Sequence, residues 1–193
     1  MLKFAILHFC YTNTPMSIIL HPYSAPCGDM MLGSLDGRLC LCEWLSEKST
    51  DRLHRRLSRE LRTDFADGTS EVIEMAARQL DEYFRGERRE FTVPLLFVGT
   101  EFQKKVWDGL MTIPYGTTLS YLELAGRLDI PSAVRAVANA NGANGISIFA
   151  PCHRVIGADH TLTGYAGGLD AKRYLLTLEG VSLSETDSLW VNG

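Results

Sequence analysis

The stretch Thr100–Gly142, TEFQKKVWDGLMTIPYGTTLSYLELAGRLDIPSAVRAVANANG, carries two helix starts of one kind. Thr100 with Gln103, and Ser120 with Glu123, stand three residues apart. At that spacing the cap side chain accepts from the third backbone amide, and the third side chain accepts from the cap. The first start predicts a helix with Phe102, Val106 and Leu110 on its buried stripe and Trp107 beside them, ending at Pro114-Tyr115-Gly116. The second predicts a short helix carrying Leu122 and Ala125; Asp129-Ile130-Pro131 turns the chain, and Ser132 caps a third helix to about Asn141. Two short helices and a tight turn make a helix-turn-helix. Ala133, Ala136, Ala138, Ala140 and Gly142 leave the last helix thin, with Arg135 its single long cation. Asn141-Gly142 and Asn144-Gly145 tolerate left-handed backbone and end it. A short apolar strand, Ile146 to Phe149, then leads to Pro151-Cys152-His153-Arg154-Val155.

Upstream, residues 17 to 45 alternate as half-buried strands do, and Asp36-Gly37 is a hairpin signal between two apolar runs. Leu53, Leu57, Leu61 and Phe65 recur at helical spacing, while Arg52, Arg55, Arg56, Arg59 and Arg62 line another face. That stripe reads as a solvated face with local ion pairs, or as a phosphate contact. A second helix starts at Ser70 and buries Ile73, Ala77, Leu80 and Phe84 up to Arg85-Gly86. Pro94 and the run Leu95 to Val98 mark a passage between structural units. The expected organisation is an ill-ordered extension over 1–16, an N-terminal α/β domain over 17–92, and a C-terminal domain over 93–193. The fold class is α+β: a small antiparallel sheet with helices, then a mainly helical domain with a helix-turn-helix and a cysteine-bearing loop.

The chain has 193 residues, 46% hydrophobic and 22% charged, with a net charge of −4. That composition excludes disordered, collagen-like and multi-pass membrane classes. The five cysteines, Cys10, Cys27, Cys40, Cys42 and Cys152, show no C-x-x-C pair, which argues against a disulfide framework or structural zinc and for a reducing, cytoplasmic setting. Phe4 to Gly28 lacks Asp, Glu, Lys and Arg, but Asn13 and Pro15 interrupt its apolar part, so it makes a poor signal peptide.

Cysteine is a strong nucleophile only as thiolate, and Cys152 has His153 and Arg154 as immediate neighbours. Adjacent residues on an extended strand point opposite ways, so the pair alone fits an inert thiol as well as a nucleophile. The wider pattern is richer. Pro151-Cys-His-Arg-Val155 stands with Gly99-Thr-x-Phe-Gln103, Val106-Trp107, Ile113-Pro-x-Gly116, Ser120-Tyr121, Arg135-Ala-Val137, Asn144, Gly164-Tyr-x-Gly-Gly168 and Leu176-x-x-Glu-Gly180. This ordered set resembles the O6-alkylguanine-DNA alkyltransferase family, also called methylated-DNA-protein-cysteine methyltransferase. The resemblance is dense over residues 99 to 180; residues 17 to 98 resemble the family's variable, ribonuclease-H-like domain in size and element order.

The resemblance implies direct, irreversible transfer of an alkyl group from guanine O6, or thymine O4, to Cys152, with no cofactor. His153 would accept the thiol proton through a water, and Glu179 would orient His153. The partner would be double-stranded DNA, entered through the minor groove by the helix expected from Ser132, with the target base flipped out. Arg135 would fill the vacated stack, and Tyr121 would crowd the target phosphate and donate to guanine N3. Asn144 would tie the recognition helix to the active-site turn. Tyr165 with the backbone of Ala166 and Gly167 would line the pocket, the Ala166 amide near O6, while the carbonyls of Cys152 and Val155 accept from the guanine amine. The protein is expected to act as a monomer, away from membranes and without metal: His8, Cys10, His21 and Cys27 do not reproduce the zinc ligands of some family members.

Two positions depart from the family: Gly145 stands where proline is usual and Ala138 replaces a common glycine, which predicts a looser active-site loop. Residues 99 to 180 hold seven Lys or Arg against seven Asp or Glu, a balance that suits scanning and insertion rather than tight sequence-specific binding. A helix-turn-helix regulator would leave the Cys-His-Glu set unexplained. A cysteine hydrolase would lack its nucleophile motif, with His153 adjacent in sequence.

Overall fold

The computed structural model describes residues 17–45 and 47–183; the extension expected over 1–16 lies outside them. Three strands open the fold, β1 (Ile18–Ala25), β2 (Gly28–Leu35) and β3 (Arg38–Trp44), followed by helix α1 (Glu47–Leu61), strand β4 (Phe65–Asp67) and helix α2 (Glu71–Phe84). The sheet order is β3-β2-β1-β4, antiparallel except for β1 with β4. Asp36 and Gly37 both take positive φ, 49° and 66°, so the hairpin turn sits where the sequence predicts it. Phe65, expected on the first helix, lies instead on β4. Arg62 at φ 51° ends that helix, and the next residues pair with Ile18 to Leu20.

Ser70 caps α2 by accepting from the Ile73 amide. Its buried face is Val72, Ile73, Ala76, Gln79, Leu80 and Tyr83: Ile73 and Leu80 are buried as expected, while Ala76 and Tyr83 point inward and Ala77 and Phe84 lie at the margin. The second half holds α3 (Glu101–Leu110), β5 (Leu119–Ser120), α4 (Tyr121–Arg127), α5 (Val134–Gly142), β6 (Val155–Ile156) and α6 (Gly168–Leu178). Both predicted capping boxes form, at Thr100/Gln103 and Ser120/Glu123. Phe102 and Leu122, expected inside, are 37% and 52% exposed. Val106, Trp107, Leu110 and Ala125 are buried as expected, and Leu124 takes the place of Leu122 in the core.

Helices α4 and α5 form the helix-turn-helix, Asp129 supplying the left-handed turn at φ 60°. Ser132 does not cap α5: it lies in a 3-10 turn, Pro131–Ala133, and α5 starts without a side-chain cap. The helix runs through Gly142, and Asn141, Gly142, Asn144 and Gly145 all keep negative φ. No strand forms over Ile146 to Phe149. Ile148 at φ 71° breaks it, leaving single bridges Cys42–Ile146 and Ser147–Ala150.

The two halves share one core. Met30, Leu32, Ile73 and Tyr83 pack in the same cluster as Ile146, Ile148, Phe149 and Leu175. The open edge of β3 is covered: Leu39 exchanges backbone hydrogen bonds with Pro94 and Leu96, and Cys42 with Gly145 and Ser147. The turn leading to Cys152 is therefore stitched to the N-terminal sheet. Among the described residues no helix is long and apolar enough to cross a membrane.

Candidate active site

Cys152, His153 and Arg154 occupy one turn of 3-10 helix, with the Arg154 amide bonded to the Pro151 carbonyl. This sharp turn, rather than a strand, lets adjacent side chains act in one site. Cys152 is 5% exposed and His153 is fully buried. Glu179, the cap at the end of α6, is also buried. A carboxylate taken out of water must be compensated by partners, and Glu179 accepts five hydrogen bonds from four residues. Its Oε1 accepts from Tyr83 Oη at 2.8 Å, His153 Nε2 at 2.9 Å and Arg154 Nη2 at 2.9 Å. Its Oε2 accepts from Arg154 Nε at 2.9 Å and the Gly116 amide at 3.1 Å.

Burial pushes the Glu179 carboxyl upward, but the hydrogen bonds and charges of His153 and Arg154 outweigh it and hold the group at about 2. Glu179 is thus an acceptor only, and the proton between it and His153 belongs to Nε2. Burial holds the imidazole below its ordinary value despite the carboxylate, so His153 rests neutral with its lone pair on Nδ1. Among the described residues Nδ1 has no hydrogen-bond partner. Burial pushes the Cys152 thiol up to about 11; a hydrogen bond with Asn144 opposes this, the Glu43 charge adds to it, and the Lys172 charge opposes it. Cys152 therefore rests as a thiol that needs a base at the moment it reacts.

Asn144 ties together the loop between α5 and the Cys152 turn. Its Nδ2 donates to the Ala150 carbonyl at 2.9 Å, and its Oδ1 accepts from the Ile146 amide at 3.0 Å. Tyr165 lies edge-on to His153, ring centroids 6.4 Å apart, and packs beside the cluster containing Cys152. Ala166 and Gly167 follow it at the start of α6. Val155 is buried, and its carbonyl accepts from Lys172 Nζ at 2.6 Å. Arg135 and Ala136 are exposed on α5, and Tyr121 is half-buried at the start of α4. Tyr121 also packs against the cluster that contains Cys152.

Sequence reasoning missed Tyr83, Lys172 and the role of Arg154. Arg154 also donates to the Ile113 carbonyl at 2.6 Å, so a residue quoted only as part of a motif locks the carboxylate in place. Lys172 is fully buried, donates to the Val155 and Thr163 carbonyls, and is pushed down to about 8 by burial. Tyr83 was findable from the α2 spacing Ile73, Ala76, Leu80, Tyr83. The expected looseness at Gly145 meets a restraint of another kind. A Cβ there would stand 3.0 Å from Arg56 Nη2 and 3.0 Å from Leu53 Cδ1, and Arg56 Nη1 donates to the Ala143 carbonyl at 2.8 Å. Two residues of α1 thus press on the loop where proline is usual. Among the described residues no group of three or more His, Cys, Asp or Glu is placed to hold a metal ion.

Comparison with known proteins covers both halves. Residues 20–97 match the ribonuclease-like domain, and residues 101–181 the DNA-binding domain, of the family described as 6-O-methylguanine DNA methyltransferase. A methylated-DNA–protein-cysteine methyltransferase of Methanosarcina acetivorans is 56% identical over 110 residues, 57% of this chain and 70% of that protein. One from Mycobacterium tuberculosis is 57% identical over 104 residues, 54% of this chain and 63% of that protein. The crystal structure of Mycobacterium tuberculosis OGT in complex with DNA aligns with a TM-score of 0.72 at 39% identity, covering 88% of this chain and 98% of that one. With both domains matched in order and the fold shared along nearly the whole of a solved relative, the chain belongs to the O6-methylguanine DNA methyltransferase family.

Proposed function

We propose that this chain repairs DNA by taking the alkyl group of O6-alkylguanine, or of O4-alkylthymine, directly and irreversibly onto Cys152, each molecule reacting once. The observation that carries this reading is the buried relay. Glu179, held by Tyr83, Arg154 and Gly116, accepts from His153 Nε2 and leaves the Nδ1 lone pair, without a partner among the described residues, to serve as base for Cys152 on the same 3-10 turn, whose thiol burial keeps protonated. In the transfer the S–C bond forms as the C–O6 bond breaks. The thiol proton passes through a water to His153 Nδ1, and the imidazolium is paired with Glu179. Guanine departs electron-rich, and donation from Tyr121 to N3 and from the Ala166 amide to O6 offsets that charge. The acceptor is the protein's own sulfur, so the reaction draws on no cofactor.

DNA would be met by α4 and α5. The exposed Arg135, Ala136 and Asn139 give α5 a thin outer face with one long cation, suited to the minor groove, where small residues approach closely and carry little sequence code. The target oxygen lies inside a stacked duplex, so the base must swing out, with Arg135 taking its place. In this reading Asn144 keeps α5 and the Cys152 turn in register, Tyr165 and Gly167 wall the pocket, and the Val155 carbonyl selects the guanine amine. The protein works as a monomer in the cytoplasm.

The test is a count. Pure protein mixed with excess duplex carrying radiolabelled O6-methylguanine should take up one label per chain, all of it on Cys152. Cys152→Ala should take none yet still bind DNA. Repeated turnover, or label on Cys40 or Cys42, overturns the assignment.

A further inference from the structure

Trp44 belongs to the N-terminal sheet, yet it reaches the pocket wall. It ends β3, is 3% exposed, and its Nε1 donates to the Tyr165 hydroxyl at 3.1 Å. The two rings meet edge to face, centroids 6.0 Å apart at 67°. A Cβ on Gly167 would come within 2.7 Å of indole Cδ2 and Cε2, so the backbone at 167 lies directly on the indole face. Trp44 thereby touches both ends of the segment Tyr165–Gly167. On its other side Tyr165 stands edge-on to His153 and packs against the cluster of Cys152.

Rigidity differs between the partners. Trp44 is held by sheet pairing with Met30 and by packing on Gly28, and it belongs to the main core cluster. Residues 157 to 167 have no helix or strand of their own. The indole is the fixed part, and the loop takes its position from it. An alkyl group arriving at Cys152 must fit between the sulfur and this loop, and close-packed walls reject added methylenes.

We propose that Trp44 is a specificity-determining positioning residue: by anchoring Tyr165 and Gly167 from the N-terminal sheet, it sets how large an alkyl group the Cys152 pocket accepts. The proposal rests on the alkyl-transfer reading above. It assigns to the N-terminal domain a part in substrate choice, through Tyr165 rather than by contact with the reacting atoms.

The experiment compares second-order transfer rates for one duplex carrying either O6-methylguanine or O6-benzylguanine, in the wild type, Trp44→Phe, Tyr165→Phe and the double variant. Trp44→Phe keeps an aromatic ring in the core but removes the donor; Tyr165→Phe removes the acceptor and leaves Trp44 in place. Each single variant should raise the benzyl-to-methyl rate ratio by about three- to tenfold, the span one neutral hydrogen bond is worth. The double variant should match Trp44→Phe, which already breaks that bond along with the indole's contact at Gly167. A merely structural role would slow both substrates alike and leave the ratio where it was. Should Trp44→Phe fail to fold, the Tyr165→Phe ratio decides. A ratio that is unchanged or falls overturns the proposal while the alkyl-transfer reading stands; a wild type that takes label from neither duplex overturns both.

Discussion

Replacing Glu179 by Gln tests whether the buried carboxylate holds the site together. The two side chains have nearly the same shape, but one of the two oxygens becomes an amide nitrogen. The Oε1 position receives three donors and the Oε2 position two, so either orientation of the amide leaves at least two donors facing an N–H group. One of these always comes from Arg154, whose buried charge then has no counterion at its fork. Removing one partner of a buried ion pair costs about 3–5 kcal/mol. A second route gives a similar magnitude. A carboxyl held at about 2 when folded, against an ordinary value of 4.5, contributes about 3 kcal/mol at neutral pH. Because the folded value is the lower one, that contribution is complete above the unfolded value and is lost as pH falls from 4.5 toward 2. Urea unfolding of both proteins at pH 7, 5 and 3 and constant ionic strength measures it. Glu179→Gln should be less stable by about 3–5 kcal/mol at pH 7, and roughly 2 kcal/mol of the difference should have gone by about pH 3. At pH 7 burial keeps His153 neutral in both proteins, so the gap measured there belongs to the Glu179 site. A gap below about 1 kcal/mol at pH 7, the worth of an ordinary hydrogen bond, or one that stays constant with pH, refutes the reasoning.

His153→Ala removes the base proposed above, so a thiol at about 11 must ionise unaided; the rate at neutral pH should fall on the order of 100-fold and climb with pH toward that value, as stopped-time transfer assays across pH would reveal. Arg135→Ala should lose most activity on duplex DNA, about tenfold or more, while reacting nearly normally with free O6-benzylguanine, which needs no flipping; equal losses on both substrates exclude a role in the stack. Gly145→Val should destabilise the protein by about 1–3 kcal/mol by forcing side-chain atoms onto Leu53 and Arg56, and Leu53→Ala in the same chain should recover part of that loss in a denaturant double-mutant cycle. Alkylation of Cys152 adds volume behind the turn that Asn144 bonds, so the methylated form should melt lower than the free protein and the benzylated form lower still; three superimposable melting curves would show that the pocket absorbs the adduct.

Much of the second half was legible because its signals are local. Capping boxes, the turn at Asp129 and the Pro151–Val155 motif are each written in neighbouring residues, whose chemistry acts over one turn of chain. The helix-turn-helix and the α+β class could therefore be named from local signals, whereas the Cys152, His153, Glu179 set was implied only by the resemblance of the whole ordered motif set to a known family. Where a reading failed, a local pattern met a distant partner or lacked one. Phe102 and Leu122 fit a helical stripe but face outward, and Phe65 fits the first helix but pairs beside β1. Glu179 by itself reads as a surface carboxylate.

What the sequence by itself determined is the set of reactive groups and the elements that carry them. Only the tertiary structure decided their electrostatic state and their supporting shell. Tyr83 reaches Glu179 across 96 residues of chain, and Trp44 reaches Tyr165 across 121. The clamp of Arg56 on Ala143 spans 87. Contacts of that range follow from how the α2 face and the β3 edge pack against the C-terminal half, and no periodicity along the chain encodes them. Burial decides the rest, since the same Cys-His-Glu residues in water would titrate near their ordinary values. Taken out of water, they become a protonated thiol and a neutral imidazole with one defined tautomer, while the hydrogen bonds and charges of His153 and Arg154 outweigh burial and keep the carboxylate charged at neutral pH.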